Sequence, residues 1–184
     1  MNRLFDWDEL NLLKSEAERL IRKGKPDEKQ IDRFCDYMEF VLCLMYAYGW
    51  HDAEAIVGPV PFRDTLDDKA VNLEIDGKTF RDRVREQIGL MSLPGLTRII
   101  ETEAHRDYNT GVQEAGQRSG VPVRKQWNTM LDGRVRDTHD YLEGAVVGID
   151  DRFYTYDGDS ALAPCGFSLP ENNINCRCWI TLVR

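Results

Sequence analysis

The sequence predicts an α+β protein: a helical N-terminal half followed by a small mixed C-terminal unit with a short, mainly antiparallel sheet. Three observations carry this. Apolar residues recur at helical spacing as far as Val112. Beyond Gly116 and Gly120 they alternate in short runs separated by turn residues. No internal repeat or low-complexity stretch interrupts either half.

The first helix is expected over Trp7 to Lys23, where Leu10, Leu13, Ala17, Leu20 and Ile21 share a face and acids precede bases, as the helix dipole favours. Gly24 and Pro26 stop it. A second helix is expected to begin after Pro26 and Asp27 and run to Tyr48, with Ile31, Phe34, Cys35, Met38, Val41, Leu42 and Met45 forming an apolar side wide enough to be the spine of a core. Gly49, Gly58, Pro59 and Pro61 then read as a loop holding a solvated His51.

Asp64 to Ala70 reads as a short helix or turn, and Val71 to Ile75 alternates up to the Asp76-Gly77 turn signal. A charged helix follows over Lys78 to Gln87. Pro94 and Gly95 separate it from a long amphipathic helix, Leu96 to Gln117. In the C-terminal half, strands are expected at Val123 to Met130, at Val146 to Ile149 and at Cys176 to Val183. One or two helical turns are expected within Arg134 to Leu142, and a loop around Asp157-Gly158 and Pro164.

The chain has 184 residues, within the usual size of one domain or one and a half. Twenty-four Lys and Arg against 32 Asp and Glu leave a net charge of −8, which excludes a basic groove over most of the surface and confines any DNA contact to a local patch. Met1 to Asp8 lacks the basic and apolar regions of a secretory signal, and the apolar run Phe40 to Trp50 is too short to span a bilayer, so a soluble, cytosolic product with no membrane partner is expected. Five cysteines in a reducing compartment argue against a disulfide framework.

Signatures of common enzymes are missing: no phosphate-binding glycine loop with Lys, no G-x-S-x-G, no H-E-x-x-H. Neither a catalytic residue nor a small-molecule substrate is therefore expected. What stands out is the block Asp132-Gly133-Arg134-Val135-Arg136-Asp137-Thr138-His139 and the terminal Asn175-Cys176-Arg177-Cys178. On a strand, Cys176 and Cys178 would face one way. They would pack as buried thiols, or with His139 hold a structural zinc whose fourth ligand comes from Cys165 or Asp132. No other cofactor is expected. Upstream, His105, Tyr108 and Asn109 lie on one helix face and suggest a polar network with the C-terminal block. The Glu101 and Glu103 pair raises a further idea, an NAD-dependent transferase, but no dinucleotide loop accompanies it.

Taken in order, Thr102-Glu103, Arg106, Tyr108-Asn109, Gly111, Trp127, Asp132, Arg134, Arg136, His139, Leu142, Gly144, Phe153, Pro170 and Asn175-Cys176-Arg177-Cys178 resemble the phage Mu protein F-like (MuF) domain. The likeness runs from about Leu96 to the end, with Lys78 to Arg83 resembling the segment that leads into it. It departs at Val135 and Glu101, where the family carries a hydroxyl residue and an arginine. The resemblance implies a division into residues 1–95, a helical region for docking or oligomerisation, and residues 96–184, the MuF-like α+β domain. It implies a minor head protein of a tailed phage or prophage, made in the host cytoplasm and built into the virion head. Its partners would be portal, capsid or scaffold proteins, with local contact to packaged DNA and a place among components ejected with it. Thr102, Glu103, Arg106, Tyr108, Asn109, Trp127, Asp132, Arg134, Arg136, His139, Gly144, Asn175 and Arg177 would form its structural network. The alternative is a metal-dependent nuclease carried in the head, with His139, Asp132 and the thiols around a divalent ion.

Overall fold

The computed structural model describes residues 7–62 and 74–184. The short helix or turn expected at Asp64 to Ala70 and most of the alternation at Val71 to Ile75 lie outside the described residues.

Four helices come first: α1 (Asp8–Arg22), α2 (Glu28–Val57), α3 (Phe80–Gly89) and α4 (Leu93–Arg118). There follow β1 (Arg124–Asn128), α5 (Asp137–Asp140), β2 (Val146–Gly148), β3 (Phe153–Tyr154), β4 (Ser160–Ala161), α6 (Pro170–Asn173) and β5 (Trp179–Val183). The α+β reading is borne out: a helical first half is followed by short antiparallel sheets.

The chain forms two compact units, one of Met1–Leu44 and Asp64–Ala104, the other of Met45–Arg63 and His105–Arg184. Both α2 and α4 therefore contribute residues to each. In the first unit, Leu10, Leu13, Phe34, Met38, Phe80, Val84, Leu96 and Ile100 are buried. Ion pairs link its helices: Lys14 to Glu101 at 2.6 Å, Arg81 to Asp36 at 2.7 Å and to Glu39 at 2.5 Å, and Arg83 to Glu103 at 2.7 Å. Helix α2 opens with a reciprocal pair of hydrogen bonds between Asp27 and Gln30, each 2.8 Å. Thr79 and Asp82 cap α3 in the same way, so the first backbone N–H groups of both helices find partners. Asp76 and Gly77, at φ 54° and 71°, make the expected tight turn between Ile75 and Lys78.

Two expected boundaries need correction, and proximity explains the first. Helix α2 does not end at Tyr48; it passes through Gly49 and His51 to Val57. Gly49 is there for a close crossing: a Cβ on it would stand 2.0 Å from the Tyr108 carbonyl oxygen, and one on Gly111 would stand 2.1 Å from the Tyr46 carbonyl oxygen. The backbones of α2 and α4 meet at these two glycines in the second unit. Tyr108 donates to Asp52 at 2.8 Å and Tyr46 to Glu114 at 3.0 Å beside the crossing. Likewise Pro94 and Gly95 lie in the first turn of α4, not ahead of it; proline is tolerated there because the first N–H groups of a helix have no intrahelical acceptor.

The second unit's sheet has the order β2-β1-β5, antiparallel throughout, with Trp127 opposite Ile180 and Lys125 opposite Leu182 and Val147. The β3-β4 hairpin, read from sequence only as a loop, pairs Phe153 with Ala161. The last strand begins at Trp179, so Cys176 and Cys178 stand just before it and not on it.

Candidate functional site

Three cysteines, one histidine and the polar face of α4 converge in the second unit. Cys165, Cys176 and Cys178 are buried, as is His139 at 1% exposure. α5 is too short to hold itself. It is fixed by packing, with the His139 ring edge-on to Trp127 at 5.3 Å and stacked on Phe167 at 5.3 Å. Trp127 in turn packs against Phe153 at 5.1 Å and Phe167 at 5.8 Å. This aromatic group leaves His139 Nδ1 facing two sulfurs, Cys176 Sγ and Cys178 Sγ, each at 3.5 Å. The ligand atoms of the three residues lie within 4.8 Å of one another.

The loop carrying the thiols is held by its carbonyl groups. His105 Nδ1 lies 2.7 Å from the Cys176 oxygen, which can only accept, so that nitrogen carries the proton. Arg106 Nε donates to the Cys165 oxygen at 2.8 Å. Asn109 Nδ2 donates to the Cys178 oxygen at 3.2 Å, and its Oδ1 accepts from Ile180 N–H at 2.9 Å. One turn of α4 therefore grips the backbone of all three cysteines. Asn175, at φ 58°, supplies the left-handed residue that reverses the chain into Cys176. Arg136 donates its fork to the Glu171 and Ile174 carbonyls and ties α5 to the end of α6. Arg177, between the two cysteines, grips Asp132 bidentately at 2.9 and 2.6 Å, and that guanidinium holds the Asp132 carboxyl down at about 2.

The three thiols share a proton network. Burial works against ionisation of Cys176, but its neighbours Cys165, Cys178 and His139 outweigh it and hold that thiol well below the ordinary value. Cys165 and Cys178, hydrogen-bonded to Cys176 and buried, are pushed up.

Of the residues singled out from sequence, Arg106, Asn109, Trp127, Asp132, Arg136, His139, Asn175, Arg177 and the two cysteines meet in this region. Gly144, at φ 72°, turns the chain into β2 and donates its N–H to the Trp127 carbonyl at 2.9 Å. Others lie elsewhere. Glu103 pairs with Arg83 in the first unit, beside a buried Thr102. Tyr108 turns to Asp52. Arg134 is largely exposed, 3.8 Å from Asp132. Asp132 is taken up by Arg177 and does not join the histidine and thiols as a ligand.

Two buried polar centres had no sequence signal. Lys125 is completely buried on β1, donating to Gln113 and to the Ile149 carbonyl, both at 2.9 Å, with its ammonium 5.5 Å from the Phe153 ring. Desolvation pulls its pKa down to about 8. Asp159 accepts from Ser160 N–H, Ser168 N–H and hydroxyl, Leu169 N–H and Asn172. Burial opposes its charge, but these donors prevail and hold its carboxyl well below the usual range. An alternation rule has no means of flagging a lysine at an inward strand position, or an aspartate that organises a loop.

A polar helix face thus clamps a cysteine-bearing loop beside a three-stranded sheet, and comparison with known proteins gives the family. The family model described as Phage Mu protein F like protein matches residues 69–181. The chain belongs to that family, as the motif resemblance implied, and the match begins upstream of Leu96 and takes in α3. One relative is the NAD(+)-arginine ADP-ribosyltransferase EFV of Enterococcus faecalis, 31% identical over 126 residues, 64% of this chain and 26% of that protein. Another is Minor head protein GP7 of Bacillus phage SPP1, 29% identical over 103 residues, 55% of this chain and 33% of that protein. The chain thus spans about a quarter to a third of the curated relatives it matches. No solved structure matches it significantly.

Proposed function

We propose that this chain is a non-enzymatic minor head protein of a tailed phage or prophage, acting in head assembly at the portal vertex or head interior and leaving with the DNA on ejection. The observation that carries the reading is the family match over residues 69–181, joined to the likeness to a protein named for the minor head role. The net charge of −8 favours protein partners, portal and capsid or scaffold, over a surface that wraps DNA. Residues 1–95 would dock and residues 96–184 would form the stable module. Among the described residues, no helix is long and apolar enough to cross a membrane.

The site supports a structural role. His139, Cys176 and Cys178 are 1, 2 and 3% exposed, whereas a nuclease centre must present a metal-bound water to its substrate. Asp132, the carboxylate such a centre would recruit, is occupied by Arg177. The name of the Enterococcus relative raises transferase chemistry, but Glu101 and Glu103 are each committed to a cation, Lys14 and Arg83.

The test is co-expression with the portal and scaffold proteins of the same genome. The tagged chain should co-purify with the portal or with procapsids. Absence from both under every assembly condition, together with cleavage of DNA or RNA by the wild type that His139→Ala abolishes, would replace this reading with the nuclease.

A further inference from the structure

We propose that His139, Cys176 and Cys178 bind one zinc ion that staples the loop before β5 to α5. A tetrahedral zinc with bonds of about 2.3 Å to sulfur and about 2.0 Å to nitrogen holds those atoms about 3.5 Å apart. Both Sγ to Nδ1 separations here are 3.5 Å.

Hydrogen bonding accounts for the pair less well. The ring nitrogen has either one lone pair or one proton at Nδ1, so it makes one good hydrogen bond, yet two sulfurs stand at the same distance from it. The other ring nitrogen, Nε2, is buried with no hydrogen-bond partner among the described residues. Nδ1 is therefore the atom through which the ring makes polar contacts. A single cation accepts all three donors at once. Their chemistry, two soft thiols and an imidazole without a carboxylate, selects zinc over magnesium or calcium.

The surroundings are built for rigidity. The carbonyls of Cys176 and Cys178 are already held by His105 and Asn109, so the sulfurs are left to meet the histidine. The Trp127 and Phe167 rings fix the imidazole plane. A cavity of about 10 Å³ adjoins the three residues, bordered also by Met130 and Arg136. That is about the space of one water, enough to complete the fourth position but not to admit a substrate to it. The role is structural: the segment from Ile174 to Cys178 has no strand pairing of its own, and a metal bond supplies the constraint that a small sheet lacks. None of this depends on what the protein does in a phage head.

The test uses the full chain, purified under reducing conditions and dialysed against zinc. Elemental analysis should find one zinc per chain. Cobalt in its place should give the thiolate charge-transfer and strong visible bands of a tetrahedral site. The Cys176→Ser/Cys178→Ser variant should lose at least tenfold of the bound metal, and Cys35→Ser none. Because the double variant risks misfolding, the wild type is also treated with a chelator while thiol reactivity is followed, and two thiols should become more reactive as zinc leaves. Wild type that takes up neither zinc nor cobalt while its circular dichroism shows a folded protein would overturn the proposal. Undiminished zinc in a folded double variant would do the same.

Discussion

The side chain of Asn109 on α4 pairs with the backbone around Ile180 as a neighbouring strand would. Its oxygen accepts from Ile180 N–H at 2.9 Å and its nitrogen donates to the Cys178 carbonyl at 3.2 Å. Asparagine alone carries donor and acceptor at the spacing of a peptide group on so short a stem. Replacing it by Ala leaves two buried backbone groups unpartnered, which is expected to cost about 2–4 kcal/mol. Asn109→Asp should be nearly as harmful, since it sets a carboxylate oxygen against the Cys178 and His105 carbonyls. Urea unfolding of both variants checks this; a loss under about 0.5 kcal/mol in each would refute it.

Gly49 and Gly111 are expected to be intolerant of any side chain. An alanine Cβ at either position falls at 2.0 or 2.1 Å from a backbone oxygen, and neither partner is a flexible side-chain end. The crossing must open, at a cost of order 3 kcal/mol. Gly89, at the end of α3, has nothing among the described residues within 4 Å of the same position. Gly89→Ala should therefore raise stability by ~0.5 kcal/mol through helix propensity. Melting temperatures of the three variants should split in this way, two down and one up.

Lys125 makes stability rise with alkaline pH. Its native pKa of about 8 lies below the ordinary lysine value of 10.5. Below the lower value both states hold the proton and no pH dependence arises from this group. Between the two, the unfolded chain holds more protons than the native one, so unfolding becomes harder as pH rises. Lys125→Met removes the titration. The wild type should gain up to about 3 kcal/mol on the variant between about pH 7 and pH 10. A constant difference across that range would show the lysine is not desolvated.

Asp159 acts at the other end of the scale. Its carboxylate is held low by five donors, so it stabilises the fold above the ordinary carboxylate value of about 4, and this is lost as pH falls through the lower native value. Asp159→Asn should lose about 2–4 kcal/mol at neutral pH, because an amide nitrogen would face donors. The difference from wild type should shrink steadily in acid. Acid unfolding curves followed by tryptophan fluorescence read it out.

Much of this molecule is written in local pattern. Leu10, Leu13 and Ala17 on α1, and Ile31 through Met45 on α2, face inward as their spacing demands, because a helix buries whatever recurs near every 3.6 residues. The Asp76-Gly77 turn and the strands around Trp127 and Ile180 follow from similarly local rules. Even the family could be read, since the order of Thr102-Glu103 through Cys178 is a property of the chain.

Other features are properties of proximity. Gly49 looks like a helix stop until Tyr108 stands 2.0 Å from its missing Cβ. Glu103 and Asn109 sit within two turns of one helix, yet one meets Arg83 and the other the backbone of β5. Cys176 and Cys178 are not strand neighbours, as their spacing suggested; they meet at His139 because α4 holds their carbonyls and an aromatic cluster aims the ring. Period and propensity act along a few residues, and so the chain alone settles which elements form and what it is related to. Contacts between residues 37 and 39 positions apart depend on how those elements pack, and only folding decides which side chains share a site.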